Sequence, residues 1–295
     1  MNLPFGVKDS SQVVNLASFK NRDAAIGKLL LDAGKLQPHD LKRVLKLQHE
    51  QNLRFGEAAV TLGLVTEADI QHALSCQFEY PYSPDDRDGF SPELVAAAAP
   101  NGKKAETLRS VRSQLLLRWF QGDHKTLAIG CARKDEGASY LAANLAVLFA
   151  QLGRKTLLID ADMRQPRQHQ IFNLGNSKGL SDILAGRAEA TIVSPIKSFP
   201  ALSILPSGSP PPNPAELLTR QAFGALLRSL ESSYDVILID TSPLPYVSDF
   251  QAVAAKTSGV LLAARRNLSR LEALTKLKRV IVRTHAQVVG VVVLD

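Results

Sequence analysis

At 295 residues, with 45% hydrophobic and 21% charged side chains, the chain can build one large domain or two ordinary ones with real cores, which excludes a disordered chain. No uninterrupted apolar run approaches the roughly 20 residues of a membrane-spanning helix, and the opening MNLPFGVKDSSQVV lacks a signal-peptide core. Charge is uneven: residues 1–100 carry a net −3 and residues 101–295 a net +10, so phosphates, acidic protein segments or anionic headgroups are the expected partners of the later part.

Aromatic residues are 6% of the chain, too few for base-stacking platforms, and no nucleic-acid partner is expected. Cys76 and Cys131 match no metal or redox spacing, which suits a reducing, cytoplasmic compartment.

The first predicted elements form an internal repeat with an offset of 29. AIGKLLLDAGKLQPHDLKRVLKLQ at 25–48 aligns without a gap on RFGEAAVTLGLVTEADIQHALSCQ at 54–77. Each copy reads as a short helix ended by Gly34 or Gly63, a turn, and a second helix opening near Pro38 or Thr66. The two copies predict a small all-α domain over 20–80, and a bare helical interaction module is the simplest use of it. The pattern also resembles the amino-terminal domain of type II secretion and pilus ATPases, including the version that binds cyclic di-GMP through two 24-residue motifs separated by five residues. That resemblance implies Arg54, Gly56 and Gly63 as ligand contacts. The first copy has Ala25 where the motif opens with arginine.

Residues 81–104, rich in Pro, Gly and acidic side chains, read as a linker. A third segment, 105–295, alternates apolar runs with helix-length stretches. The runs are 125–132, 155–162, 202–206, 235–240, 258–264 and 288–294; the helical stretches are 138–152, 213–231 and 269–284. This predicts an α/β domain whose mostly parallel sheet is covered on both faces, with ligands beyond the carboxyl ends of its strands.

Three of those strand ends carry polar residues. CARKDEGAS, 131–139, sits where a phosphate-binding loop would sit, with Gly137 and Ser139 in place and Ala138 where such a loop has lysine. The second run ends in Asp160-Ala161-Asp162-Met163-Arg164, and the fourth in Asp240-Thr241-Ser242-Pro243. Carboxylates there lie beside bound phosphates, where they hold magnesium and orient an attacking hydroxyl.

With these residues in view, the third segment resembles the bacterial tyrosine kinases of the polysaccharide-export type, relatives of the MinD and ParA P-loop ATPases. LLIDADMR at 157–164 matches the family's D-x-D-x-R motif, VILID at 236–240 its Walker B strand, and LPSGSPPPNPAELL at 205–218 its glycine- and proline-rich passage. Paired with the secretion-ATPase-like domain, it resembles the EpsG-type chain-length determinant kinases. The resemblance implies ATP and magnesium as cofactors and Asp160, Asp162 and Asp240 as catalytic carboxylates. Ser139, Asp162 and Asp240 are the implied magnesium ligands. Arg133, Lys134, Asp135, Glu136, Gly137, Ala138, Ser139, Tyr140 and Arg265 line the implied nucleotide site.

The same resemblance implies homo-oligomerisation through Glu106-x-x-Arg109-x-x-Arg112, charges that share one helix face and alone read as a solvated one. It further implies a partner, the cytosolic tail of a membrane chain-length protein, which would hold the chain peripherally at the inner membrane. Two features depart from the family. Ala138 removes the transition-state cation, and Tyr80, Tyr82, Tyr140, Tyr234 and Tyr246 form no tyrosine-rich tail. A nucleotide-binding pseudokinase and a MinD-like ATPase therefore stand beside the active kinase.

Overall fold

The computed structural model describes residues 21–67, 69, 70, 73, 89–175, 178–189 and 193–295. The chain divides into two units, Met1–Tyr80 and Pro81–Asp295. No helix of the described residues is long and apolar enough to cross a membrane.

In the first unit α1 (Asn21–Asp32), α2 (Pro38–Gln51) and α3 (Phe55–Thr61) are followed by a helical stretch that includes residues 67, 69, 70 and 73. They enclose a core of Leu30, Leu41, Val44, Phe55, Ala58 and Ile70. The repeat is visible in its chemistry. Asp40 accepts the Gln37 N–H at 3.1 Å and Asp69 accepts the Thr66 N–H at 2.9 Å, so the repeated aspartate closes the first turn of each second helix. Gly34 and Gly63 end each first helix in the left-handed region, at φ +67° and +65°. Gly27 and Gly56 are packing glycines: a Cβ at Gly56 would lie 2.9 Å from Ile70, and one at Gly27 3.3 Å from Phe55.

The second unit opens with residues that the sequence reads as linker. Residues 81–88 lie outside the described residues, as do Tyr80, Tyr82 and Cys76, but 89–102 are folded and include α4 (Val95–Ala98). Buried Asn144 holds them, accepting the Ala96 N–H at 2.8 Å and donating to the Glu93 carbonyl at 3.0 Å. The chain continues through α5 (Lys103–Arg118), β1 (Thr126–Cys131), α6 (Ala138–Ala150), β2 (Thr156–Asp160), α7 (Gln168–Ile171) and α8 (Leu180–Leu184). It then runs through β3 (Ser194–Ile196), β4 (Phe199–Leu205), α9 (Pro214–Thr219), α10 (Gln221–Glu231), β5 (Val236–Asp240), α11 (Val247–Thr257), β6 (Gly259–Arg265), α12 (Leu271–Arg283) and β7 (Gln287–Leu294).

The seven strands are ordered β3-β4-β2-β5-β1-β6-β7, all parallel except the β3–β4 pair. Every residue of β1, β2 and β5 is buried, as a parallel sheet covered on both faces requires. One face packs on α6, apolar apart from Asn144 and buried from Leu141 to Ala150; the other carries α9 to α12. β1 occupies the middle, with β2 and β5 on one side and β6 on the other, so the chain reverses direction at its carboxyl end and leaves a crevice there.

Candidate active site

Three loops meet at that crevice. The one after β1 turns through Asp135 at φ +68° and Gly137 at φ +94° to enter α6, as the small-residue spacing predicts. Gly137 is required twice over, since a Cβ there would also lie 2.5 Å from Leu294 Cδ1 at the end of β7. The loop is braced from within: buried Glu136 accepts the Ala132 and Arg133 N–H groups, both at 2.9 Å. Glu136 is thus a structural strut rather than a wall of the cleft. Arg133 is exposed and does not line the cleft; Lys134 and Asp135 do. Ala138 is 5% exposed and begins α6 with a methyl group.

The aspartates divide their work. Asp160 and Asp240 are register partners on adjacent strands, about 4.8 Å apart in backbone, and both are fully buried. Asp160 is a loop organiser, accepting N–H groups from Asp162, Arg167 and Gln168 at 3.2, 3.0 and 2.9 Å. Burial, and next the Asp240 carboxylate, push its pKa well above the usual carboxylate range. Asp240 is pushed up to about 7, chiefly by burial, against the pull of the Gln168 amide and the Ser139 hydroxyl. Asp162 faces the cleft; its Oδ1 accepts the Ser242 hydroxyl at 2.8 Å and the Arg164 and Gln165 N–H groups.

The arginine of the D-x-D-x-R motif turns away. Arg164 pairs with buried Asp249 at 2.6 Å and lies 4.4 Å over the Tyr246 ring, so it ties the loop after β2 to α11.

The resulting cleft measures about 660 Å³. Tyr140, half-buried between Glu93 and Arg265, and Arg265 at the end of β6 stand on one wall. Burial raises the Tyr140 phenol, and the nearby Glu93 charge adds to it. The α5 amino terminus supplies Lys104, and the loop after β2 supplies Gln165 and Arg167. Sequence reasoning missed these three and Gln168, which become neighbours of the loop only through the fold.

The oxygen set suits a hard cation. Asp240 Oδ1 is buried without a well-aligned hydrogen bond, and Ser139 lies beside that carboxylate. Among the described residues no group of three His, Cys, Asp or Glu is arranged to hold a metal alone. Magnesium takes one or two protein oxygens and completes its shell with phosphate and water, so Ser139 and Asp240 could hold it without such a group.

The interface motif is placed differently from its sequence reading. Glu106 is exposed, Arg109 pairs with Glu106 at 2.7 Å and also donates to the Pro100 carbonyl, and Arg112 is buried with a bond to the Leu148 carbonyl at 3.1 Å. Both arginines serve the protomer's own packing. In the first unit Arg54 is exposed, while Gly56 and Gly63 have the packing and conformational duties described above.

A family model described as an AAA domain matches residues 125–288, more than half of the chain. The putative tyrosine-protein kinase CapB of Staphylococcus aureus is 33% identical over 193 residues, covering 65% of this chain and 85% of that one. The chain belongs to the bacterial tyrosine-protein kinases of this AAA domain family. The tyrosine-protein kinase wzc of Salmonella typhi is 34% identical over 180 residues, a match spanning 61% of this chain and 25% of wzc. The crystal structure of the chimerical protein CapA2B2 superimposes with a TM-score of 0.65 at 32% identity, covering 71% of this chain and 96% of that one. The AAA domain match falls entirely within the second unit of this family member.

Proposed function

We propose that the chain is an ATP- and magnesium-dependent protein-tyrosine kinase serving exopolysaccharide chain length. It works at the cytoplasmic face of the membrane with the tail of a membrane chain-length protein. The observation that carries this reading is the convergence of three strand ends, with Gly137, Ser139 and Asp162 lining one cleft and Asp240 buried beside Ser139, in a chain of the tyrosine-kinase family.

In this reading the N–H groups of the loop and of the first turn of α6 bind the phosphates, and Tyr140 and Arg265 flank the base. Ser139 and Asp240 would hold magnesium directly and Asp162 through a bound water, and the ion would supply charge neutralisation on the phosphates. Asp162 accepts the proton of the acceptor tyrosine as its oxygen bonds to the γ-phosphorus and the bond to the β–γ bridging oxygen breaks. Asp160, surrounded by backbone donors, holds the loop instead of acting as the base.

Ala138 favours a second reading, in which nucleotide binds and transfer is slow enough that assembly is the main output. Losing one preorganised cation costs about 3–5 kcal/mol of barrier, and Lys134 is the cleft-lining cation nearest in sequence to replace it. Incubation with magnesium and ATP, with and without the partner's tail, separates the readings. Phosphotyrosine supports the kinase, phosphate release alone a MinD-like ATPase, and neither an assembly module.

For the helical unit we propose a regulatory docking role. Cyclic di-GMP binding rests on exposed Arg54, and calorimetry on the full chain and on Arg54→Ala tests it. Homo-oligomerisation through the α5 face rests on exposed Glu106, and light scattering of Glu106→Lys tests that.

A further inference from the structure

One fully buried side chain touches both halves of the cleft and belongs to none of the recognised motifs. Gln168, the first residue of α7, places its amide Nε2 2.8 Å from Asp240 Oδ2 and 3.2 Å from the Ser139 carbonyl. Its backbone N–H donates separately to Asp160 Oδ2 at 2.9 Å. We propose that Gln168 is a positioning residue that sets Ser139 and Asp240 in the relative geometry a metal-bound nucleotide needs. This proposal rests on the nucleotide-site reading above.

The chemistry follows from the amide. An NH₂ group has two hydrogens and here meets two acceptors, one on the first turn of α6 and one at the end of β5. Because Oδ2 of Asp240 takes the Gln168 amide, Oδ1 is the oxygen left with acceptor capacity, and it is buried without a well-aligned hydrogen bond. Gln168 Oε1 is likewise a buried acceptor without a partner among the described residues. Orphaned acceptors beside Ser139 mark a place prepared for a cation and its water. Only an amide of this length reaches both partners: leucine fills the volume without donating, asparagine is one methylene shorter, and glutamate would set a carboxylate against Asp240. The backbone bond to Asp160 is kept by leucine and asparagine alike, so these two variants interrogate the bridge alone.

The test is calorimetry on the full chain with ADP, in magnesium and in EDTA, for wild type, Gln168→Leu and Gln168→Asn, with thermal melts as a fold control. Outer-shell partners of metal sites are typically worth about 10- to 100-fold in metal affinity. Gln168→Leu should therefore weaken magnesium-ADP binding by at least about tenfold while metal-free ADP binding changes by less than about twofold. Gln168→Asn, which keeps one donor bond and the polarity, should fall between wild type and the leucine variant and supplies the answer where leucine does not fold. An unchanged ratio of magnesium-bound to metal-free affinity in a folded variant overturns the proposal, and so does an equal loss of both, which would mark a plain structural peg. If wild type binds ADP in neither condition, the nucleotide-site reading falls and takes this one with it; wild-type binding with an unaltered variant ratio sinks this one alone.

Discussion

At Ala138 a methyl group, 5% exposed, begins the helix that follows the loop where the motif places an ammonium. Backbone donors and acceptor carboxylates remain around it, so substrate binding and transition-state stabilisation come apart at this one position. Ala138→Lys should raise tyrosine phosphorylation by about 100- to 1000-fold and shift ADP affinity far less, as read by phosphotyrosine blotting and calorimetry. Asp162→Asn in that background should abolish the gain. Gly137, Ser139 and the aspartates were legible in the sequence because polar residues after apolar strands have few structural reasons to cluster. Glu136 and Gln168 were not. Glu136 read as one more residue of the loop, and only the fold turns it inward onto two N–H groups. Gln168 lies eight positions past Asp160 and reaches Asp240 only because the loop after β2 folds back. No periodicity announces either.

Helices and strands carry their own tests. Arg112 on α5 caps the Leu148 carbonyl of α6 from a buried position, so Arg112→Ala should cost about 2 kcal/mol and lower the melting temperature of the second unit. A variant that changes oligomer mass in light scattering and leaves the melt untouched would assign Arg112 to the proposed interface instead of to packing. In the first unit Asp69 is held at about 2, first by the Thr66 hydroxyl, then by the Thr66 N–H, with Lys35 adding charge. A depressed carboxylate contributes stability above its unfolded value near 4 and loses it as pH falls through about 2. Asp69→Asn should therefore accelerate amide exchange in α1–α3 at neutral pH, with the difference closing between pH 4 and 2. Most elements were legible from apolar runs and glycine stops, including the repeat and six of the strands. The missing ones have reasons. β3 is three residues long with an exposed Pro195; the helix expected over 213–231 breaks at Arg220, where ψ is 149°; and α11 lay in a stretch whose apolar spacing was overshadowed by the strands on either side. Over 89–102 the expected linker is folded instead, because Leu94, Ala96 and Ala97 are buried and Asn144 of α6 bonds the Ala96 N–H.

On the scale of the whole molecule, a unit of the tyrosine-kinase family shares a chain with a helical repeat outside the matched region. The fold class was legible throughout, whereas the strand order was not, since it depends on which runs pair. That order puts β7 at the margin of the sheet, laddered only to β6 among the described residues, with Leu294 resting on Gly137. A marginal strand opens more readily than an interior one. Because Leu294 rests on Gly137, opening of β7 would also uncover the loop, which couples the two. Nucleotide should slow amide exchange along Val291–Leu294 as well as in the loop, and Leu294→Ala should erase the first protection while weakening binding, although it removes no polar atom. Linkage runs in both directions: if the loop binds phosphate, whatever steadies the rim of the sheet should tighten that grip, and β7 becomes a lever on the residues that follow Gly137.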